Sequence, residues 1–376
     1  MHGTTEFTLD QAQKYLNRLP DRALARKPNK HTDDIDIYYV IGESISASHL
    51  SFNGYSRETT PNLNRIIHEY PNAIFSNVTS HGDCTNRSVP QLMIQPEFPA
   101  RKSIALRPTL FDYAKSAGYT TAFLSNVADI SQDYFINKSI DHLARDLDFQ
   151  PNKKTETIDD HLLFEYFENK LQSKKKRFYI FETYSAHWPY AERYAFDKKY
   201  ALFQPDFHRG ETQFFDVKNI EKIINSYDNA IVHFDDSIRP IFSDISKRDA
   251  VYIITSDHGQ SFNEQNTWAH CSGKLGQLLV PLIIIASNQS VADRINLTLI
   301  QSKANFPISH SNIFMTILSI MGFDRDSLEF NYSPSLFLLN KSDNKLRKAL
   351  ISPIDPPDGV DRFVAISPSK AFINIE

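Results

Sequence analysis

The sequence has no apolar run approaching 18 residues, so no stretch of it is long enough to cross a bilayer as a helix. Its longest clear apolar runs, such as VPLIIIA at 280–286, have the length of buried strands. The opening residues, MHGTTEFTLDQ, lack the basic and apolar regions of a secretory signal. Cysteine is almost missing. Cys84 and Cys271 allow one bridge at most and exclude a disulfide framework, a usage compatible with a reducing compartment. An excess of one charge sign is missing too: 41 Lys and Arg stand against 45 Asp and Glu, for a net charge of −4 and a pI near 6.4. That balance gives no electrostatic reason to expect a nucleic-acid partner. A glycine-rich phosphate loop is absent, which argues against a nucleotide-binding kinase or GTPase. There is no internal repeat, low-complexity tract or convincing linker.

What is present suits a globular chain of 376 residues, with 41% hydrophobic and 23% charged residues. Residues 1–34 are polar and hold no strand signal. Leu9, Tyr15, Leu16 and Leu19 fall on one helical face before Pro20, so a short amphipathic helix is expected there. From Ile35 onward strands and helices alternate. Strands are expected at 37–41, 73–80, 120–126, 177–184, 250–256, 280–286 and 363–367. Helices are expected at 61–70, with Thr60 as its cap, at 109–117, ended by Gly118, and at 158–174, 215–246 and 308–321. Such alternation predicts an α/β fold with a mostly parallel sheet covered by helices on both faces, formed by one domain over residues 35–376.

The chemistry gathers at strand ends, where ligands bind in open α/β sheets. Glu43 follows the strand that stops at Gly42. Asp257 and His258 follow the strand VYIITS, and Gly259 lets the backbone turn tightly beneath them. His270 comes twelve residues on, in TWAHCSG, and His187 follows the strand at 177–184. Taken singly, each is most simply a loop or core residue. Together, carboxylate and imidazole donors without thiolates suit Zn²⁺ or Mn²⁺. The polar segment SNVTSHGDCTNRSVP (76–90) offers Cys84, Thr85 and Ser88 as nucleophiles that a metal would activate. A helix starting near Asn86 would add N–H groups for an anion such as phosphate.

Four segments in order resemble phosphoethanolamine transferases of the alkaline phosphatase and sulfatase superfamily, which include the lipid A-modifying and colistin-resistance enzymes. They are GESISASHLSFNGYSRETTPNL (42–63), the loop at 76–90, INSYDNAIVHFDDSI (224–238) and TSDHGQSFNEQNTWAHCSG (255–273). The resemblance implies an alkaline phosphatase-like sandwich and a zinc ion held by Glu43, Asp257, His258 and the nucleophile. Aligned on Ser88-Val89-Pro90, the nucleophile is Thr85 rather than Cys84. His187 and His270 match two histidines that bind a second zinc or contact the transferred phosphate. Asn126 is matched to an asparagine contacting donor or acceptor. Gln260 stands where relatives carry an acidic residue, which argues against a metal or proton role there.

The implied reaction has two steps. Thr85, activated by zinc, attacks phosphatidylethanolamine and releases diacylglycerol; the phosphoethanolamine on Thr85 then passes to lipopolysaccharide or lipooligosaccharide. His187 and His270 would serve as proton donor or acceptor. The resemblance further implies a periplasmic catalytic domain on an inner-membrane protein, with residues 1–34 as a bridging segment. Where lipid A-modifying relatives staple the nucleophile loop by a disulfide, this chain has His81 and Gln91, so comparison with enzymes acting on core sugars is preferred. A sulfatase is disfavoured because Cys84-Thr85-Asn86-Arg87-Ser88 lacks the Pro two residues after the nucleophile and the Arg two residues beyond it. A phosphatase or phosphodiesterase would differ only in passing the group to water. A non-catalytic module is disfavoured because no candidate ligand has been lost. The loops 127–160 and 188–215, with Tyr134, Phe135, Arg145, Tyr190, Arg193 and Tyr194, are read as either an acceptor surface or solvated loops.

Overall fold

The computed structural model describes residues 23–30, 34–95, 106–127, 135–149, 158–171, 173–212, 215–243, 245–340, 347–351 and 362–366. The helix expected around Leu9–Leu19 lies outside them, as does Tyr134. Strands β1 (Asp36–Gly42), β2 (Asn72–Thr79), β3 (Thr120–Ser125), β4 (His142–Arg145), β5 (Arg177–Glu182), β6 (Ala250–Ser256), β9 (Leu279–Ala286) and β10 (Ile308–Ser309) form one sheet, ordered β10-β2-β9-β6-β1-β5-β3-β4. Only β9 runs against its neighbours in this sheet. Short β7 (Ser261–Phe262) pairs with β8 (Trp268–Ala269), and β11 (Arg347–Ile351) pairs with β12 (Arg362–Ile366). The strand expected at 363–367 therefore joins a separate hairpin rather than the central sheet.

Helices of seven residues or more are α1 (Pro61–Glu69), α2 (Thr85–Met93), α3 (Leu110–Ser116), α4 (Asp160–Lys170), α5 (Ile220–Ser237) and α6 (His310–Ile320). The alternation along β1 sorts them onto two faces, because successive strand side chains point to opposite sides. Ile37, Tyr39 and Ile41 join a cluster with Val89, Phe111 and Ile313, from α2, α3 and α6. Tyr38 and Val40 join another with Leu63, Phe164 and Ile231, from α1, α4 and α5. Both faces are thus covered, as a near-continuous apolar strand requires. Each such side chain contributes about 1.5–3 kcal/mol on burial.

Two local expectations meet a physical correction, and a third holds. Helix α5 is shorter than residues 215–246 because Pro240 has no N–H to continue it, and a 3₁₀ turn at Arg239–Phe242 follows. Helix α1 is not capped by Thr60; the Asp235 carboxylate, reaching from α5, accepts from Asn62 N and Leu63 N at 2.7 and 2.9 Å. Helix α3 is capped by Thr109 and Asp112 as a reciprocal pair, and Gly118 follows it at φ +87°, where its end was expected.

Candidate active site

The parallel register of β1 and β6 places Gly42 beside Ser256, so the next residues, Glu43 and Asp257, emerge side by side. The Asp257 N–H donates to Gly42 O at 3.0 Å. Ser44 turns the chain with a left-handed φ of +62°, an arrangement that costs a non-glycine residue on the order of 1 kcal/mol. In return its N–H donates to Asp257 Oδ1 at 3.0 Å and its hydroxyl to Glu43 Oε1 at 2.7 Å. Gly259 is needed for a different reason from a tight turn. Its φ is not left-handed, but a Cβ there would lie 2.5 Å from Gly276 O and 2.7 Å from Leu279 O.

Strand β2 delivers the nucleophile segment to the same edge. Ser80 and Ser88 both donate short hydrogen bonds to Asp257 O, tying the two loops together. Thr85 is the first residue of α2, and its Oγ1 donates to Glu43 Oε2 at 2.9 Å and lies 3.3 Å from His258 Nε2. Cys84, at the N-cap, makes no side-chain cap, so it does not satisfy the first-turn N–H groups as a Ser or Asp would. Cys84 is bonded to Cys271 in a disulfide that joins this loop to the one bearing His270.

Glu43, Asp257 and His258 are buried, and their donor atoms lie within 4.8 Å of one another. His258 Nε2 is 3.3 Å from Glu43 Oε1 and 3.4 Å from Asp257 Oδ2. Because His258 Nδ1 donates to Gly259 O at 2.9 Å, the neutral ring presents a bare Nε2 to both carboxylates. Asp257 Oδ2 is buried and makes no hydrogen bond. The charges report the same frustration. Burial pushes the Asp257 carboxyl up to about 8, and the Glu43 carboxylate adds to the rise. Burial opposes protonation of His258, but the Asp257 and Glu43 carboxylates outweigh it and push the imidazole up to about 9. Burial likewise opposes ionisation of Glu43, but the neighbouring His258 charge holds it well below the usual carboxylate range. A buried trio of this kind lacks one positive charge at its centre, and two carboxylate oxygens with one imidazole nitrogen form a donor set that could hold a divalent metal ion.

The other two histidines stand beside this trio. The His270 ring lies 4.4 Å from that of His258 and 6.2 Å from that of His187. His187 stacks on Tyr184 and donates from Nδ1 to Trp188 O at 2.5 Å. His270 donates from Nδ1 to Gln260 Oε1 at 3.1 Å, and burial, reinforced by the charge of His258, pushes it down to about 3. In the neutral form of each ring, Nδ1 carries the proton and Nε2 is the bare nitrogen.

A profile described as Sulfatase matches residues 36–323, well over half of the chain. The chain belongs to the sulfatase family. It is 22% identical over 326 residues to the Kdo(2)-lipid A phosphoethanolamine 7''-transferase of Salmonella typhimurium, covering 81% of this chain and 54% of that protein. The phosphatidylethanolamine transferase Mcr-1 of Escherichia coli is 28% identical over 281 residues, which is 66% of this chain and 47% of its own. The chain thus spans about half the length of these curated relatives. The C-terminal periplasmic domain of EcEptC from Escherichia coli, solved in complex with Zn, shares the fold with a TM-score of 0.72 and 18% identity, over 93% of this chain and 97% of that one.

Within this sulfatase-family domain, several working residues were not legible as such. Gln260, discounted for lack of a charge, is buried and links His270 to the Tyr190 hydroxyl. Asp228, on α5, takes His49 Nδ1 at 2.7 Å, Tyr55 OH at 2.8 Å and Arg57 Nη1 at 2.8 Å, which pins the stretch after Glu43. Tyr227 closes the same clamp, accepting from Ser46 N and donating to Ser44 O, both at 2.7 Å. Asn126 does not hydrogen-bond to the trio; its Nδ2 donates to Asp160 Oδ1 at 2.7 Å. Asp160 in turn accepts from the N–H groups of Tyr184 and Ser185, both at 2.8 Å, and so sets the loop that carries His187. Phe135, Tyr190 and Tyr194 are fully buried core residues, so neither the acceptor-surface nor the solvated-loop reading holds for them.

Proposed function

We propose that this domain is the catalytic part of a phosphoethanolamine transferase that uses Thr85 as its covalent carrier. The observation that supports it best is the Thr85 hydroxyl, donating to Glu43 and touching His258 at the first turn of a helix. Glu43, Asp257 and His258 would hold one Zn²⁺ together with the Thr85 oxygen, and His187 with His270 would supply two further imidazoles for a second. When bound, such an ion supplies Lewis acidity and lowers the pKa of a coordinated hydroxyl.

The chain's own residues then do the following. Glu43 accepts the Thr85 hydroxyl hydrogen bond and orients Oγ1. Thr85 Oγ1 attacks the phosphorus of phosphatidylethanolamine, forming one P–O bond while the bond to diacylglycerol breaks and diacylglycerol leaves with a proton. In the second half the acceptor hydroxyl or phosphate attacks the phosphorus on Thr85, and Oγ1 departs. His187 or His270 takes the acceptor's proton as the new P–O bond forms, and Oγ1 regains a proton as it departs. The N–H groups at the start of α2 and the imidazole cluster offset the phosphate charge.

The names of the relatives point to lipid A or lipopolysaccharide as the acceptor class. They also favour a domain on the periplasmic side of the inner membrane, held there by a membrane region outside this sequence. The Cys84–Cys271 bridge supports an oxidising compartment. Incubation with phosphatidylethanolamine, followed by proteolysis and peptide mass spectrometry, should find the phosphoethanolamine increment on the Thr85 peptide and none in Thr85→Ala. A domain that turns over phosphatidylethanolamine without that adduct, or with undiminished activity in Thr85→Ala, would sink the proposal. Release to water in the presence of lipopolysaccharide would instead identify a phosphodiesterase.

A further inference from the structure

A second group of donors lies outside the site just described. Asp159 is the N-cap of α4, with its carboxylate accepting from His161 N at 3.0 Å, and this fixes the positions of both side chains. His233 projects from the C-terminal half of α5 and is 1% exposed. Three atoms converge. His161 Nδ1 is 3.1 Å from Asp159 Oδ1, His233 Nε2 is 3.3 Å from the same oxygen, and the two ring nitrogens are 3.2 Å apart. For ligands at about 2.0–2.1 Å from a tetrahedral zinc, the edge between ligands is roughly 3.3–3.4 Å. The triangle's edges of 3.1, 3.2 and 3.3 Å lie at or slightly inside that value, close to the 3.3 and 3.4 Å spacings at His258.

The surroundings are those of a coordination site. The remote nitrogen of His161, Nε2, is 3.3 Å from Asp236 Oδ2 and 3.1 Å from Tyr200 OH, the outer contacts that orient a ligating imidazole. Lys199 and Arg239 pair with Asp236 at 3.4 and 2.9 Å, so that carboxylate is already balanced and Asp159 supplies the negative charge of the triangle. Phe196 and Tyr200 pack edge-on against the His233 ring and close one side. Asp159 and His161 are each about a quarter exposed, which leaves the fourth position open to water.

We infer that Asp159, His161 and His233 form a further, independent binding site for a zinc-class divalent cation. It has two imidazoles and one carboxylate as ligands and lies beside the Asp160 brace rather than at Thr85. The inference does not rest on the transferase reading.

The test is zinc stoichiometry by elemental analysis on the full chain, loaded with Zn²⁺ and dialysed, with each variant's fold checked by circular dichroism. His161→Gln, a partly exposed position, should hold one zinc fewer per chain than the unmodified protein. Glu43→Gln combined with Asp257→Asn disables the first centre and should still hold one zinc more than the same variant with His161→Gln added. In that double variant Co²⁺ should give the visible absorption of a four-coordinate ion, lost with His161→Gln. An unchanged zinc count in His161→Gln would overturn the inference and leave a hydrogen-bonded Asp–His–His cluster, with His161 protonated between two carboxylates. Loss of zinc confined to the Glu43 and Asp257 variants would overturn it equally.

Discussion

Cys84 and Thr85 are adjacent, and by intrinsic reactivity the thiol is the stronger nucleophile. Their environments reverse that order. The sulfur of Cys84 is in a disulfide, which also removes it as the precursor of a sulfatase nucleophile, whereas the Thr85 hydroxyl donates to a buried carboxylate. Gln260 shows the same dependence on environment, since an uncharged side chain fixes the tautomer of His270. Under the proposed reaction, Gln260→Leu should lower kcat by about 10- to 100-fold, the usual cost of losing an outer contact to a ligating imidazole. Gln260→Glu, which keeps an acceptor for His270 Nδ1, should restore most of it. Steady-state kinetics on both variants check this; an effect confined to KM would assign Gln260 to substrate binding instead.

At the scale of elements, the site is made where β1, β2 and β6 end and α2 begins. Hydrogen bonds from Ser80 and Ser88 to Asp257 O join two of these ends, and the Cys84–Cys271 bridge, across 187 residues of sequence, joins the loops beyond them. Closing so long a loop should be worth roughly 2–5 kcal/mol. Reduction, or Cys84→Ala with Cys271→Ala, should thus move the urea midpoint down by a corresponding amount, while thiol titration of the native protein finds no free cysteine. Equal midpoints for oxidised and reduced protein would contradict this. Strand ends of this kind are visible in a sequence because apolar runs stop at Gly42 and Ser256. The bridge was allowed by two cysteines but not required by them, since pairing depends on how loops 187 residues apart fold back.

On the scale of the whole molecule, the two apolar faces bury polar groups along with the core. His81 and His310 pack against each other behind the nucleophile loop, with His81 Nε2 2.6 Å from Ser311 Oγ. Burial pushes His81 down to about 3, and burial with the neighbouring His81 holds His310 well below the usual histidine range. A histidine depressed in the folded state takes up a proton more readily in the unfolded chain. Its stability contribution is present above about 6.5 and lost as the pH falls toward 3. Metal-free protein should lose on the order of a few kcal/mol over that window, and His81→Gln should flatten the dependence. Chemical denaturation at a series of pH values measures it; the same slope in both proteins would show that other groups carry the acid sensitivity.

The sequence by itself determined the alternation of strands and helices, the sheet covered on two faces, and the placement of Glu43, Asp257, His258, His187 and His270 at strand ends. It could do so because these follow from local periodicity and from where apolar runs stop. The Asp235 cap of α1, the Asp228 clamp, the Gln260 bridge, the disulfide and the Asp159–His161–His233 triangle were decided by tertiary structure alone. Each joins side chains from separate elements, and which of them meet is set by strand register and helix packing rather than by anything a single segment encodes.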